Sequence, residues 1–143
     1  MKTLKQILNE KAIQETISIS PDKLVFDALV IMAEHHIGAI AVMEAGELIG
    51  IFSERDYARE VALKGKTSKT TKIREVMTSN LIYGQVDDLV GSAMSTMSNK
   101  RIRHLPIRDG EQLVGMLSIS DLVKATIEYQ EDLIQQLESY IRG

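Results

Sequence analysis

The chain has 143 residues, 44% hydrophobic and 26% charged. That is the balance of a globular domain long enough to bury about two thirds of its unfolded surface. A formal net charge of −3 gives no general affinity for nucleic acid, and the absence of cysteine excludes a disulfide framework and a thiolate metal site.

The N-terminal stretch MKTLKQILNEK lacks the apolar region of a secretory signal and reads as a lead-in helix. No apolar run reaches the ~18 residues of a membrane span, so a cytoplasmic protein with no membrane partner is the expectation. TISIS, residues 16–20, alternates apolar and polar residues as a short strand. Ser20 and Pro21 suit the start of a helix, and Leu24, Ala28, Leu29, Met32 and Ala33 then recur at helical spacing. IGAIAVM is a small, apolar strand, EAGE a turn and LIGIF a second strand; SERDYAREVAL opens the next helix. KGKTSKTTKIREVMTSN reads as a basic, solvated linker ending in a short helix, IREVMT, with a phosphate-facing role for one lysine as the sharper alternative. LIYG, a helix over 88–100, HLPIR, the turn DGEQ, LVGML and a helix from about 119 follow. Pro106 has no ladder donor and belongs at a sheet edge or where the backbone is left free. From Val123 the apolar positions 123, 127, 134, 137 and 141, with Gln130 in the missing slot, form a heptad seam. Such a seam fits either packing on its own domain or docking against a second subunit.

The order strand–helix–strand–strand–helix occurs twice. Shifted by 65 residues, Gly50 falls on Gly115, Ser53 on Ser118 and Asp56 on Asp121. Asp22, Leu24, Ala28 and Met32 fall on Asp87, Leu89, Ala93 and Met97, and the register holds over about 16–59. Two copies are too few for a solenoid and point to two units sharing one fold.

GIFSERD and GMLSISD are the two matching corners. Ser-x-x-Asp is first a helix N-cap: the serine hydroxyl accepts from the first turn and the aspartate reaches back. Asp in both copies, where Glu is the usual partner, allows a further role. A short carboxylate at a helix start accepts two hydrogen bonds from a vicinal diol such as ribose, and the helix amides favour an accompanying phosphate. Lys100, Arg101, Arg103 and His104 precede and enter a strand; alternation sets Arg101 and Arg103 on one face and His104 on the other. Guanidinium groups contact phosphate oxygens in pairs. The first copy has His36, Gly38 and Ala39 there, so phosphate specificity belongs chiefly to the second copy. The adjacent His35 and His36 lack a third metal ligand, a Ser53–His104–Asp triad competes with the capping role of the same residues, and no glycine-rich phosphate loop is present. Met32, Met94 and Met97 read as core filling.

These corners, the repeat and RIRHLPI resemble cystathionine-β-synthase (CBS) domains, and two in tandem resemble a Bateman module of the small stand-alone bacterial type. The resemblance covers residues 1 to about 127. It implies an α/β (α+β) fold of two β-α-β-β-α repeats related by a pseudo-twofold axis, followed by a long C-terminal helix. It divides the chain into residues 1–65, a first repeat with its lead-in helix; 66–127, linker and second repeat; and 128–143, a helical extension. It implies a non-enzymatic sensor that binds AMP, ADP, ATP or NAD(H) in clefts between the repeats, with no catalytic cofactor and no metal, and signals occupancy to a regulated partner. Carried over residue by residue, Ser53 and Asp56 hold sugar in one cleft, and Ser118 and Asp121 in the other. Adenine lies against Thr16, Ile17 and Ser18 with Ala39 to Ala41, and against Asn80 to Ile82 with Leu105, Pro106 and Ile107. Arg103 and His104 match phosphate-binding positions, with Arg55 a further candidate. Gly38 and Ala39 depart from the phosphate-binding pattern, so the two clefts are expected to differ. A homodimer is expected. The competing readings are a structural, dimerising module without a nucleotide and, against the net charge, a nucleic-acid binder.

Overall fold

The computed structural model describes residues 1–11 and 16–142. The chain divides into two compact units, Thr16–Leu81 and Met1–Glu15 with Ile82–Gly143.

In the unit Thr16–Leu81, β1 (Ser18–Ile19), β2 (Ala39–Glu44) and β3 (Glu47–Ser53) form a sheet in that order. β1 runs parallel to β2, and β2 pairs with β3 as a hairpin. The hairpin turn uses left-handed backbone at both Ala45 (φ 52°) and Gly46 (φ 79°), which matches the strand twist. Residues 39–42 of the central strand are all buried, as their unbroken apolar run requires. Helix α2 (Val25–His35) lays Val25, Ala28 and Met32 on the sheet, and the core closes around Phe52, Ile40, Val42, Val61, Ile73 and Val76. Each such large side chain contributes roughly 1.5–3 kcal/mol on burial.

The linker is not merely solvated. The amides of Val25 and Phe26, unpaired at the start of α2, donate to the carbonyls of Thr71 (2.9 Å) and Ser68 (3.0 Å). Thr71 is buried, its hydroxyl on the Thr67 carbonyl at 2.8 Å. Residues 68–72 therefore cap α2, which leads into the short α4 (Ile73–Val76). SERDYAREVAL begins as α3 (Glu54–Asp56) and continues as a wider π-helical turn over Tyr57–Ala62, where the Leu63 amide reaches back five residues to Ala58.

The other unit repeats the plan with β4 (Gly84–Gln85), α5 (Val90–Lys100), β5 (His104–Asp109) and β6 (Gln112–Ser118), sheet order β4-β5-β6. Its hairpin carries a register shift between Ile107 and Arg108, 65 residues on from the shift between Val42 and Met43. The strand expected at LIYG is shorter and later, because pairing begins at Gly84↔Ile107. In the first repeat the Ala41 amide donates to the Ile17 carbonyl at 3.2 Å; the equivalent Pro106 has no amide for the Ile82 carbonyl, so one ladder rung is missing. Pro106 is thus in a central strand, at the point where the backbone is left free.

Helix α1 (Leu4–Glu10), capped by Thr3 and Gln6, belongs to this same unit. Thr3 bridges Leu89, the Leu4 and Lys5 amides donate to the carbonyls of Asp88 (2.9 Å) and Val86 (3.1 Å), and Leu4 and Ile7 enter a core with Val90, Met97, Leu105, Ile107, Leu117 and Leu122. The compact units and the sequence repeat therefore partition the first fifteen residues differently. Helix α6 runs unbroken over Ile119–Arg142, about 36 Å. No helix among the described residues is long and apolar enough to cross a membrane.

Candidate functional site

Both corners form at the same place: the hairpin's second strand ends in serine and a helix starts. At the first, the Ser53 hydroxyl accepts from the Asp56 amide (3.1 Å), and Asp56 Oδ2 accepts from the Ser53 amide and hydroxyl, each at 3.0 Å. The Thr78 hydroxyl donates to Asp56 Oδ1 at 3.0 Å. Thr78 is held there by reciprocal 2.9 Å backbone bonds with Ile51. Gly50 permits this approach, since a Cβ there would stand 2.6 Å from Met77 Sδ and 3.1 Å from the Thr78 carbonyl oxygen.

At the second corner the Ser118 hydroxyl accepts from the Asp121 amide (3.1 Å), and the Ser118 amide donates to Asp121 Oδ2 (2.8 Å). Here a lysine replaces the threonine. Lys11 Nζ lies 3.2 Å from Asp121 Oδ2 and donates to the Met116 carbonyl at 2.9 Å. Gly115 matches Gly50: a Cβ would meet Leu8 Cδ2 at 2.7 Å. Asp121 Oδ1 accepts no hydrogen bond among the described residues, and its side chain is 25% exposed. Both aspartates are therefore caps, as the bland reading holds, but the second retains a whole oxygen for another donor.

The segment before the central strand closes each corner. The Gly38 carbonyl accepts from the Glu54 amide (3.0 Å), and the Arg103 carbonyl from the Ile119 amide (2.9 Å). His104 stands in register with Ser118, and Ala39 with Ser53. The fold thus gathers Arg103, His104, Ser118 and Asp121 in one unit, and Ala39, Ser53 and Asp56 in the other, where Ser18 pairs with Ala41 and the Ile17 carbonyl accepts from it. Thr16 precedes that strand, half-buried, and Arg55 is half-buried within the first turn of its corner. Asn80 does not join a strand; it is exposed and belongs to the unit Thr16–Leu81, whereas Ile82 begins the following segment. Strand alternation does not govern Arg101 and Arg103 either. Arg101 ends α5 in left-handed backbone (φ 55°), as His36 ends α2 (φ 54°), and the strand starts only at His104. Arg103 itself is exposed.

The linker's cations are largely committed. Arg74 pairs with Glu44 and with Asp22, the Glu44 bond foremost in pushing its guanidinium above its usual value, and Lys64 pairs with Glu60. Lys69 sits over the Phe26 ring, 5.1 Å from its centroid. Met32 and Met97 are buried in the cores, and Met94 packs against one of them. No cluster of three or more His, Cys, Asp or Glu among the described residues is placed to hold a metal ion. A shallow depression of about 450 Å³ lies along α6, lined by Ile119, Ser120, Val123, Lys124, Ile127 and Glu128, apart from the assigned sugar-binding side chains. Lys11 and Thr78 were not legible as site residues, because both lie outside the span over which the repeat aligns.

The CBS domain model matches the chain twice, over residues 5–63 and 73–128. The mitochondrial CBS domain-containing protein CBSX3 of Arabidopsis thaliana is 39% identical over 127 residues, covering 85% of this chain and 62% of that protein. YhcV, a CBS domain-containing protein of Bacillus subtilis, is 34% identical over 105 residues, 73% of this chain and 74% of YhcV. The chain thus spans somewhat under two thirds of the length of CBSX3 and about three quarters of YhcV. The structure of a protein with CBS domains from Burkholderia ambifaria MC40-6 superposes with a TM-score of 0.86 at 39% identity, covering 89% of this chain and 95% of that one. With the duplicated β-α-β-β-α plan and a matched serine–aspartate corner in each copy, the chain belongs to the CBS domain family and carries its two domains as a Bateman pair.

Proposed function

We propose that this CBS pair is a regulatory sensor of adenosine nucleotides, with the ribose diol held by a corner aspartate. The observation that carries the reading is the open Oδ1 of Asp121 beside an ammonium group. A vicinal diol donates two hydrogen bonds to a carboxylate, and Lys11 with the exposed Arg103 supplies positive charge for phosphate. The first corner is the weaker candidate: Thr78 already donates to Asp56 Oδ1, and Gly38 stands where the second copy has Arg103. Adenine has backbone groups to read in the missing rung, where Pro106 leaves the Ile82 carbonyl without its amide partner. A CBS domain pair of the protein MJ0100, which shares this fold at 24% identity and a TM-score of 0.77, was crystallised with 5′-methylthioadenosine and S-adenosyl-L-methionine, both of which carry adenosine with its diol. Occupancy shifts the protein only by the difference in ligand affinity between two conformations, which is what a regulated partner would read.

Isothermal calorimetry with adenosine, AMP, ATP and NADH tests this on the intact chain. Saturable binding of at least one of them is expected, lost or weakened on the order of 10–100-fold in Asp121→Ala, which removes charge-assisted bonds. Affinity unchanged in both Asp121→Ala and Asp56→Ala would refute the sugar assignment. No binding of any adenosine compound would leave the structural, dimerising reading in its place.

A further inference from the structure

The second half of α6 has no counterpart in the repeat and nothing to rest on. Every residue from 127 to 142 is exposed, and the helix buries only Leu122 and Ala125. A solitary helix of that length is marginal in water. Yet its apolar residues are not scattered: Val123, Ile127, Leu133, Ile134, Leu137, Tyr140 and Ile141 are exposed by 40–86% and follow one stripe. Together they leave several hundred Å² of apolar surface bare, the order of the roughly 800 Å² per partner in a standard interface.

We propose that this stripe pairs in parallel with α6 of a second copy of the chain, a contact independent of the nucleotide reading. The heptad phase selects that occupant. Ile127, Ile134 and Ile141 fall at a, and Val123, Gln130 and Leu137 at d. Isoleucine at every a with leucine and valine at d favours two parallel strands. In that register Gln130 faces its own copy and the two amides bond to each other. An antiparallel pairing sets Gln130 against Ile134 and leaves a buried amide unpaired. Glu131 and Glu138, at e, face Thr126 and Leu133 in the parallel pair, whereas antiparallel pairing brings Glu131 onto its own copy. A membrane surface does not fit: Glu128, Glu131, Asp132 and Glu138 make this half of the helix acidic, and anionic lipid repels it.

Light scattering and sedimentation equilibrium on the full chain should give a dimer, twice the 16.0 kDa of one chain. Ile134→Asp, at a position 54% exposed in the single chain, should keep the circular dichroism of the fold and weaken dimerisation on the order of 100-fold. The chain's lack of cysteine permits a second measurement: Leu137→Cys should cross-link to itself under mild oxidation, and Tyr129→Cys, at an outer position, should not. A wild-type monomer at high micromolar concentration overturns the proposal, as does a dimer untouched by Ile134→Asp. Cross-linking only between mixed Ile127→Cys and Leu137→Cys chains would show the helices antiparallel and overturn it too.

Discussion

Leu4→Ala is the sharpest test of where the N-terminus belongs. Leu4 is fully buried in the core that holds Leu105, Ile107, Leu117 and Leu122. Its Cδ1 would lie 2.8 Å from a Cβ placed on Gly84, and Leu105 and Ile107 crowd the same point, so the surroundings are already tight. A leucine-to-alanine change in such a site costs the lost transfer energy plus a cavity that cannot collapse, about 2–5 kcal/mol. The backbone bonds of Leu4 and Lys5 survive the substitution, which confines the loss to packing. Urea unfolding should report that cost, and hydrogen exchange by mass spectrometry should place it in peptides spanning α5, β5 and β6. A cost below about 1 kcal/mol, or protection lost first within Thr16–Leu81, would refute the assignment of α1 to this unit.

Gly50→Ala should destabilise by about 1–3 kcal/mol, since its methyl group would overlap Met77 Sδ and press on the Thr78 carbonyl; Met77→Ala in the same chain should recover part of it, read by thermal unfolding. Pro106→Ala gives the central strand an amide for the Ile82 carbonyl, so that amide should show slowed exchange, as the Ala41 amide does, and adenosine binding should fall if the ligand uses the open carbonyl. The Lys2 ammonium, raised above its usual value chiefly by its bond to Glu10, contributes stability that is complete below the unfolded value near ~10.4 and is lost as pH climbs through the raised folded value. The pair is partly exposed and worth less than about 1 kcal/mol, so Lys2→Met should lie slightly below wild type at pH 8 and converge with it in alkali, measured by urea unfolding.

What was legible in the sequence was local or repeated. The alternation of TISIS, the helical spacing from Leu24 to Met32, the turns at Ala45–Gly46 and Gly110, and the two caps all appear where their residue patterns put them. What was hidden depends on chain partners far apart. Nothing in MKTLKQILNEK says that Leu4 closes a core with Leu105, and nothing in KTSKTT says that its carbonyls cap α2. The left-handed Arg101 was misassigned because a basic residue before an apolar run reads as strand, while the backbone needed a helix stop 65 residues after His36. Pro106 was readable in kind but not in place: a missing amide demands an unpaired carbonyl, and the parallel partner supplies it by starting one residue late.

The same distinction bears on function. Duplication makes the corners equal in their own residues, down to the glycine that lets a neighbour approach, but the neighbour comes from a segment outside the aligned repeat. At Asp56 it is Thr78, a neutral donor fixed by backbone bonds to Ile51; at Asp121 it is Lys11, a charged donor on a side chain that also reaches the Met116 carbonyl. A diol at Asp56 competes with a hydroxyl much like itself. At Asp121 it meets an open oxygen, and any phosphate it carries finds an ammonium group within the same few ångströms. Divergence between the two corners therefore needed no change in the repeat itself: the lead-in segments were enough to assign one corner to a cap and leave the other able to take an anionic sugar ligand.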